Sequence, residues 1–195
     1  MYRWCLLLAF PGLLAAPVAS ALEPGLPQRV HTLGGALRLP ILRGEPTDLE
    51  RDAGFGFGVC SHWFYRPGLA LAVTADYDRF GSPIDPDDQL SRFTFSVSQL
   101  AALPLGRLLP WAAFGAGVGV GLFRRPDGAT ITDTMPVLRA AGGLALEIHR
   151  RTTVGVSAGY DFVFGGDSVG GGTGSGRDTV FDDTAHVALG ADYYF

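Results

Sequence analysis

Residues 109–123 read LPWAAFGAGVGVGLF. From Ala112 onward the alternate positions are Ala112, Phe114, Ala116, Val118, Val120 and Leu122, and between them lie Ala113, Gly115, Gly117, Gly119 and Gly121. Period-two alternation describes a strand with two unlike faces. Each glycine would cost a helix interior about 1 kcal/mol, so a helix is excluded. The second face decides the fold: it is too small for a packed core and too bare of charge for a face turned to water.

Seven further segments repeat the pattern. The first runs from about Val30 to Leu39, with Leu33, Leu37 and Leu39 opposed to Thr32, Ala36 and Arg38. The second, Asp52 to Phe64, sets Phe55, Phe57, Val59 and Trp63 against Gly54, Gly56, Gly58, Cys60 and His62. The third, Leu69 to Asp78, sets Leu71, Val73 and Tyr77 against Ala70, Ala72, Thr74, Asp76 and Asp78. The fourth, Ser91 to Ala101, opposes Phe93, Phe95 and Val97 to Arg92, Thr94, Ser96 and Ser98. The segment from Leu109 to Phe123 is the fifth. The sixth, Pro136 to Ile148, carries Leu138, Leu144, Leu146 and Ile148 on one face and Arg139, Gly143, Ala145 and Glu147 on the other. The seventh, Thr153 to Phe164, places Val154, Val156, Tyr160 and Phe162 against Gly155, Ser157, Gly159 and Asp161. The eighth, Thr184 to Phe195, ends the chain with Val187, Leu189, Tyr193 and Phe195 opposite His186, Gly190, Asp192 and Tyr194.

A bulky apolar face and a small, sparsely charged one fit a narrow transmembrane barrel with the bulk turned to lipid. The connections agree. Those near 65–68, 104–108 and 149–152 are short, whereas those near 40–51, 79–90, 124–135 and 165–183 are long. Short periplasmic turns alternating with long external loops are the outer-membrane arrangement. The turns carry Arg66, Arg107, Arg150 and Arg151, and the loops carry acids including Asp85, Asp87, Asp88 and Asp167. Trp63, Tyr193 and Phe195 fall near the periplasmic ends of the apolar bands, and Phe55, Tyr77, Phe93 and Phe162 near the external ends, as two interfacial girdles.

The start of the chain, MYRWCLLLAFPGLLAAPVASA, has an early arginine, an apolar run and the small triplet Ala19-Ser20-Ala21. This reads as a secretory signal cleaved after Ala21, leaving residues 22–195 as one barrel domain located in the outer membrane. The apolar run is far below the ~20 residues a spanning helix needs. The chain has 15 basic residues, all arginine, against 19 acidic ones, a formal charge of −4. An acidic chain without a basic run argues against a nucleic-acid partner. Cys60 is the one cysteine after processing, so no intramolecular disulfide is available.

PWAAFGAGVGVGLF, residues 110–123, resembles the glycine-rich fifth strand of the small outer-membrane β-barrels, the broad OmpA, OmpX and opacity-protein group. GADYYF, residues 190–195, is similar to the terminal signal read by barrel-assembly machinery in such proteins, which puts that role on Gly190, Tyr193 and Phe195. The resemblance implies an eight-stranded antiparallel up-and-down barrel, heat-modifiable migration on gels and a location, and it is silent on function.

Inside such a barrel the strongest constellation is polar. If the turn at Arg150–Arg151 joins the sixth and seventh segments, inward Arg139 falls beside Asp161; if the last loop closes near Phe164 and Asp183, Asp161 falls beside His186. Arg38, Asp76 and Arg92 belong at similar height. The expected arrangement is a satisfied ion-pair network, since unpaired buried charge is costly. The competing reading makes His186 the centre of a proton-linked or ligand site.

Gly166-Asp167-Ser168 and Asp183-Thr-Ala-His186 look like the paired elements of GDSL hydrolases, with Ser168 as nucleophile, His186 as base and Asp183 as orienter. That family separates its elements by most of a soluble domain, and here Ser168 stands in a glycine-rich loop. A lipid A deacylase would need an inward serine beside His186, and none lies there in this register. GGDSVGGGTGSGRD, residues 165–178, lacks the Lys-Ser or Lys-Thr of a phosphate-binding loop. Asp85, Asp87 and Asp88 offer hard oxygen ligands that could share a divalent cation with lipopolysaccharide, but read more simply as solvated acids. His31, His62 and His149 show no metal-ligand spacing, and Cys60 reads as a small inward residue. No catalytic group, cofactor or metal is expected.

The sequence therefore predicts a monomeric barrel with a filled lumen and a structural or surface-interaction role. Its partners are lipid and lipopolysaccharide, the assembly machinery and an external ligand met by the loops. The alternatives are a small-ligand or narrow-pore barrel, an outer-leaflet lipid hydrolase using His186, and a soluble lipocalin-like barrel.

Overall fold

The computed structural model describes residues 31–43, 53–81, 89–124, 130–164 and 183–195. Residues 1–30, 44–52, 82–88, 125–129 and 165–182, and with them Ser168, Asp85, Asp87 and Asp88, lie outside the described residues. Eight strands follow one another: β1 (His31–Arg43), β2 (Gly54–Arg66), β3 (Leu69–Gly81), β4 (Gln89–Ala102), β5 (Leu108–Arg124), β6 (Thr130–His149), β7 (Thr152–Val163) and β8 (Asp183–Tyr194). Each pairs antiparallel with the next, and β8 returns to β1 to close the barrel. That seam is continuous from Thr32↔Tyr194 to Arg43↔Asp183. Closure leaves no open edge, which a strand structure in lipid requires because bilayer hydrocarbon offers backbone groups no hydrogen bonds.

The outward face is the apolar one throughout. Leu39 and Leu189 are each 60% exposed, and Phe55, Phe95, Val156 and Ile148 are exposed alongside them. A belt of this kind on every strand is incompatible with water, which monomeric proteins meet with only small apolar patches. The barrel is therefore a transmembrane one, and the soluble lipocalin-like alternative is set aside.

The short links behave as tight turns. Gly68 and Gly106 take φ of 73° and 66°, the left-handed region that a Cβ disfavours, and the Arg150–Arg151 turn joins β6 to β7. At this end of the barrel the aromatic girdle is built around His31. Its ring stacks on Trp63 at 5.7 Å and on Phe195 at 5.4 Å, and Tyr193 meets Phe195 edge-on at 5.2 Å. The Phe195 amide donates to the His31 carbonyl at 3.1 Å. At the other end Phe57, Tyr77 and Phe93 form a run with centroids 5.4 and 4.8 Å apart.

Strand ends depart from the sequence reading on the loop side. β1 continues to Arg43, β3 to Gly81, and β6 begins at Thr130 rather than Pro136. In β6 the outward residues Thr132 and Thr134 are polar while inward Met135 is apolar, so the pattern that marks a spanning strand, apolar outside and small or polar inside, is lost there. Pro136 sits inside β6 on the outer face, opposite Val118, and its carbonyl accepts from the Phe164 amide at 3.1 Å.

Two anchors hold the terminal residue, the stack on His31 and the amide bond to its carbonyl. Deleting Phe195 is expected to lower the folded fraction, read as the heat-modifiable band on unboiled gels, while an unchanged band would remove the terminal aromatic from barrel closure.

Candidate functional site

The lumen is layered. Nearest the long loops, Phe80, Leu90, Met135 and Val137 are almost wholly buried and form an apolar cap. Beneath it lies a charged layer, and beneath that a cavity of about 170 Å³ opens among smaller residues toward the short-turn end.

In the charged layer, Arg38, Asp76, Asp78, Arg92, Arg139 and Asp161 are all less than a tenth exposed. They form a closed ring of alternating sign. Asp76 meets Arg139 Nη1 at 2.5 Å, and Arg139 Nε meets Asp161 at 2.7 Å. Arg92 Nη2 follows at 3.4 Å from Asp161 and 3.0 Å from Asp78. Arg38 then closes the circuit, with Nε 3.1 Å from Asp78 and Nη1 2.7 Å from Asp76. Hydroxyls take two further donors, with Arg92 Nη1 reaching Thr184 at 2.6 Å and Arg139 Nη1 reaching Thr74 at 2.8 Å, while Arg92 Nε is buried without a hydrogen-bond partner among the described residues. Arg92 also lies over the Phe80 ring, 5.9 Å from its centroid, tying the charged layer to the cap.

The small face of the strands is what allows these contacts. Arg38 on β1 stands opposite Gly56 on β2, and Gly56 and Gly58 stand opposite Asp78 and Asp76 on β3. A Cβ on either glycine would collide with the carboxylate beside it, so Arg38 reaches β3 across a bare strand. Arg139 on β6 is opposite Gly115 of β5, and its guanidinium passes over that strand to Ser96 on β4 and Asp76 on β3. The glycine run of β5 is the floor under this side chain.

Each residue singled out from the sequence can now be placed. Arg139 does pair with Asp161 across β6 and β7, and Arg38, Asp76 and Arg92 join the same layer. His186 does not sit beside Asp161: Asp161 is opposite Thr184, and His186 is opposite Gly159. The expected register is off by two residues. A two-residue slip keeps every side chain on its own face, so alternation could not reveal it. Gly159 makes room for the His186 ring, which a Cβ there would strike. His186 is 5% exposed and its Nδ1 is buried without a hydrogen-bond partner among the described residues.

Asp78 was missed as a member of the network, although the alternation puts it on the inward face. Charge arithmetic carries the signal: three inward arginines against Asp76 and Asp161 leave one positive charge unpaired, and Asp78 is the carboxylate that balances it.

The hydrolase constellation does not assemble among the described residues. Asp183 and His186 are an odd number of positions apart on one strand and so face opposite sides. Asp183 instead accepts from Tyr160 Oη at 3.1 Å and from the Val163 amide at 2.9 Å.

A second polar group was not read from the sequence. Cys60, His62 and Asp192 converge in the lower lumen, each with one ligand-type atom within 4.8 Å of the others. Cys60 Sγ lies 3.4 Å from Asp192 Oδ1, and His62 Nδ1 lies 3.9 Å from that oxygen and 2.8 Å from Thr32 Oγ1. Two of the three are i, i+2 neighbours on one strand, but Asp192 arrives from β8, and only barrel closure brings it near.

With this geometry in view, the chain can be set beside known structures. Neisserial surface protein A superposes with a TM-score of 0.63 at 11% identity, over 85% of this chain and 97% of that one. Ail of Yersinia pestis gives 0.53 at 17% identity over 85% and 97%, and OprG of Pseudomonas aeruginosa 0.57 at 9% over 85% and 95%. The fold is that of the small eight-stranded outer-membrane β-barrels. No protein-family model and no curated protein matches the chain by sequence. In this barrel fold a filled lumen is a matter of strand number, because eight strands enclose an interior just wide enough for side chains.

The ring makes its own prediction. Asp78 is wholly buried between two arginines, and removing one partner of a buried ion pair costs about 3–5 kcal/mol. Asp78→Asn is expected to destabilise the barrel by about that amount in urea unfolding monitored by tryptophan fluorescence. Asp78→Asn combined with Arg38→Met, which removes one charge of each sign, is expected to recover part of the loss.

Proposed function

We propose that this chain is a monomeric outer-membrane protein whose closed barrel anchors external loops for surface interaction and does not conduct solutes. On this reading residues 1–21 are the export signal and the assembly machinery recognises Gly190, Tyr193 and Phe195. The observation that carries it is the ring of six alternating charges under an apolar cap. Passage of an ion past that layer requires breaking several buried pairs at once.

The loops are where contact with the exterior belongs. The connections at 44–52 and 82–88 are rich in acidic residues, and the glycine-rich connection at 165–182 carries Asp167, Asp178 and Asp182. Ail has been crystallised with the heparin analogue sucrose octasulfate; acidic loops here argue against an equivalent polyanion and favour lipopolysaccharide phosphates bridged by divalent cations. Purified barrel in planar bilayers is expected to stay at the baseline conductance in high salt. Steady current steps would instead establish the narrow-pore reading.

His186 serves this function as a filler of the charged layer rather than as a catalytic base. Lipid A from cells expressing the protein is therefore expected to keep its mass, and a mass loss abolished by His186→Ala would reverse the assignment.

A further inference from the structure

We infer that Cys60, His62 and Asp192 form a site for a borderline-soft divalent cation of the zinc class, held in the lower lumen at the seam where the barrel closes. The sequence expectation of no metal is revised by the way the strands meet.

The argument begins with Gly34. On β1 it stands directly opposite Cys60 of β2 on one side and Asp192 of β8 on the other. Cys60 and Asp192 are thus two strand spacings apart, about 9–10 Å between backbones, and inward side chains at that distance do not ordinarily touch. Here they approach to 3.4 Å because β1 is bare between them. A Cβ on Gly34 would fall on Asp192 Oδ1 and Cγ, so the carboxylate occupies the space that any other residue would fill. His62, two residues along β2 on the same face, adds its imidazole from the turn side.

The spacing suits a metal. Tetrahedral zinc, with bonds of about 2.0–2.3 Å, holds its ligand atoms about 3.4–3.6 Å apart. The sulfur–oxygen and nitrogen–oxygen separations are 3.4 and 3.9 Å. Thiolate, imidazole and carboxylate together select zinc-like ions over calcium and magnesium, which take oxygen ligands. Three protein ligands leave a fourth position, and the cavity these residues line has room for water there. Binding releases the Cys60 thiol proton, because the thiolate is the ligand, and the cation displaces the Thr32 hydroxyl from His62 Nδ1 if it enters on that nitrogen.

The test uses full-length protein extracted folded in detergent, stripped with chelator and titrated with Co²⁺. A near-ultraviolet thiolate-to-cobalt charge-transfer band is expected, saturating at one ion per chain and bleached by one equivalent of Zn²⁺. Cys60→Ser is expected to abolish the band, and Asp192→Asn to weaken binding at least about tenfold. Gly34→Ala keeps all three ligands and fills the gap, so it too is expected to weaken binding. Heat-modifiable migration verifies that each variant is folded. Absence of the band in the wild type, its survival in Cys60→Ser, or unchanged affinity in folded Asp192→Asn and Gly34→Ala would each overturn the site.

Discussion

Charge buried in a membrane-spanning lumen has to be neutralised where it stands, and the interior of this barrel is organised around that requirement. Three arginines and three aspartates from β1, β3, β4, β6 and β7 satisfy it by alternating around a closed circuit. A buried ion pair adds little net stability over an apolar replacement, but it is severe about partial loss. The circuit therefore fixes register more than it supplies energy: sliding any contributing strand by two residues leaves every face correct and strands a charge. Five of the eight strands are checked against one another in this way.

The glycine and alanine face follows from the same requirement. Side chains as long as arginine meet partners two or three strands away only if the strands between carry nothing. Gly56 and Gly58 clear the path from Arg38 to Asp76 and Asp78, and Gly115 clears it for Arg139. Gly34 does the same for Asp192 and Cys60. What the alternation presents as a featureless small face is a set of gaps, each matched to a reaching side chain. The outer face has the opposite task, and meets it with bulk and with aromatic rings at the belt's edges.

This division explains what could be read from the chain and what could not. Strand number, face assignment and closure all depend on local alternation, so the glycine segment at 109–123 and the terminal aromatics carried them. Arg139 and Asp161 were placed together correctly because a short turn leaves little freedom in register. Asp161 and His186 were not, because a long loop tolerates a two-residue slip that no periodicity detects. Asp78 lay on the right face and could be recruited only by counting charge over the whole lumen. The Cys60, His62 and Asp192 group was illegible for a different reason: its members come from opposite ends of the chain, and their meeting depends on a residue that contributes no atoms at all.

The two ends of the lumen consequently differ in what they can do. Toward the long loops, Phe80, Leu90, Met135 and Val137 and the six charged residues are all almost wholly buried, which is what supports the closed-lumen proposal. Toward the short turns, residues such as Ala72, Cys60 and Ala188 line a cavity of about 170 Å³. On the proposed closed-lumen reading, a solute or ion that reaches the inside enters from the turn end, the periplasmic end in outer-membrane barrels. The proposed recognition by the loops and the proposed cation site in the lower lumen thus lie at opposite ends of one barrel, joined by the strands that carry both.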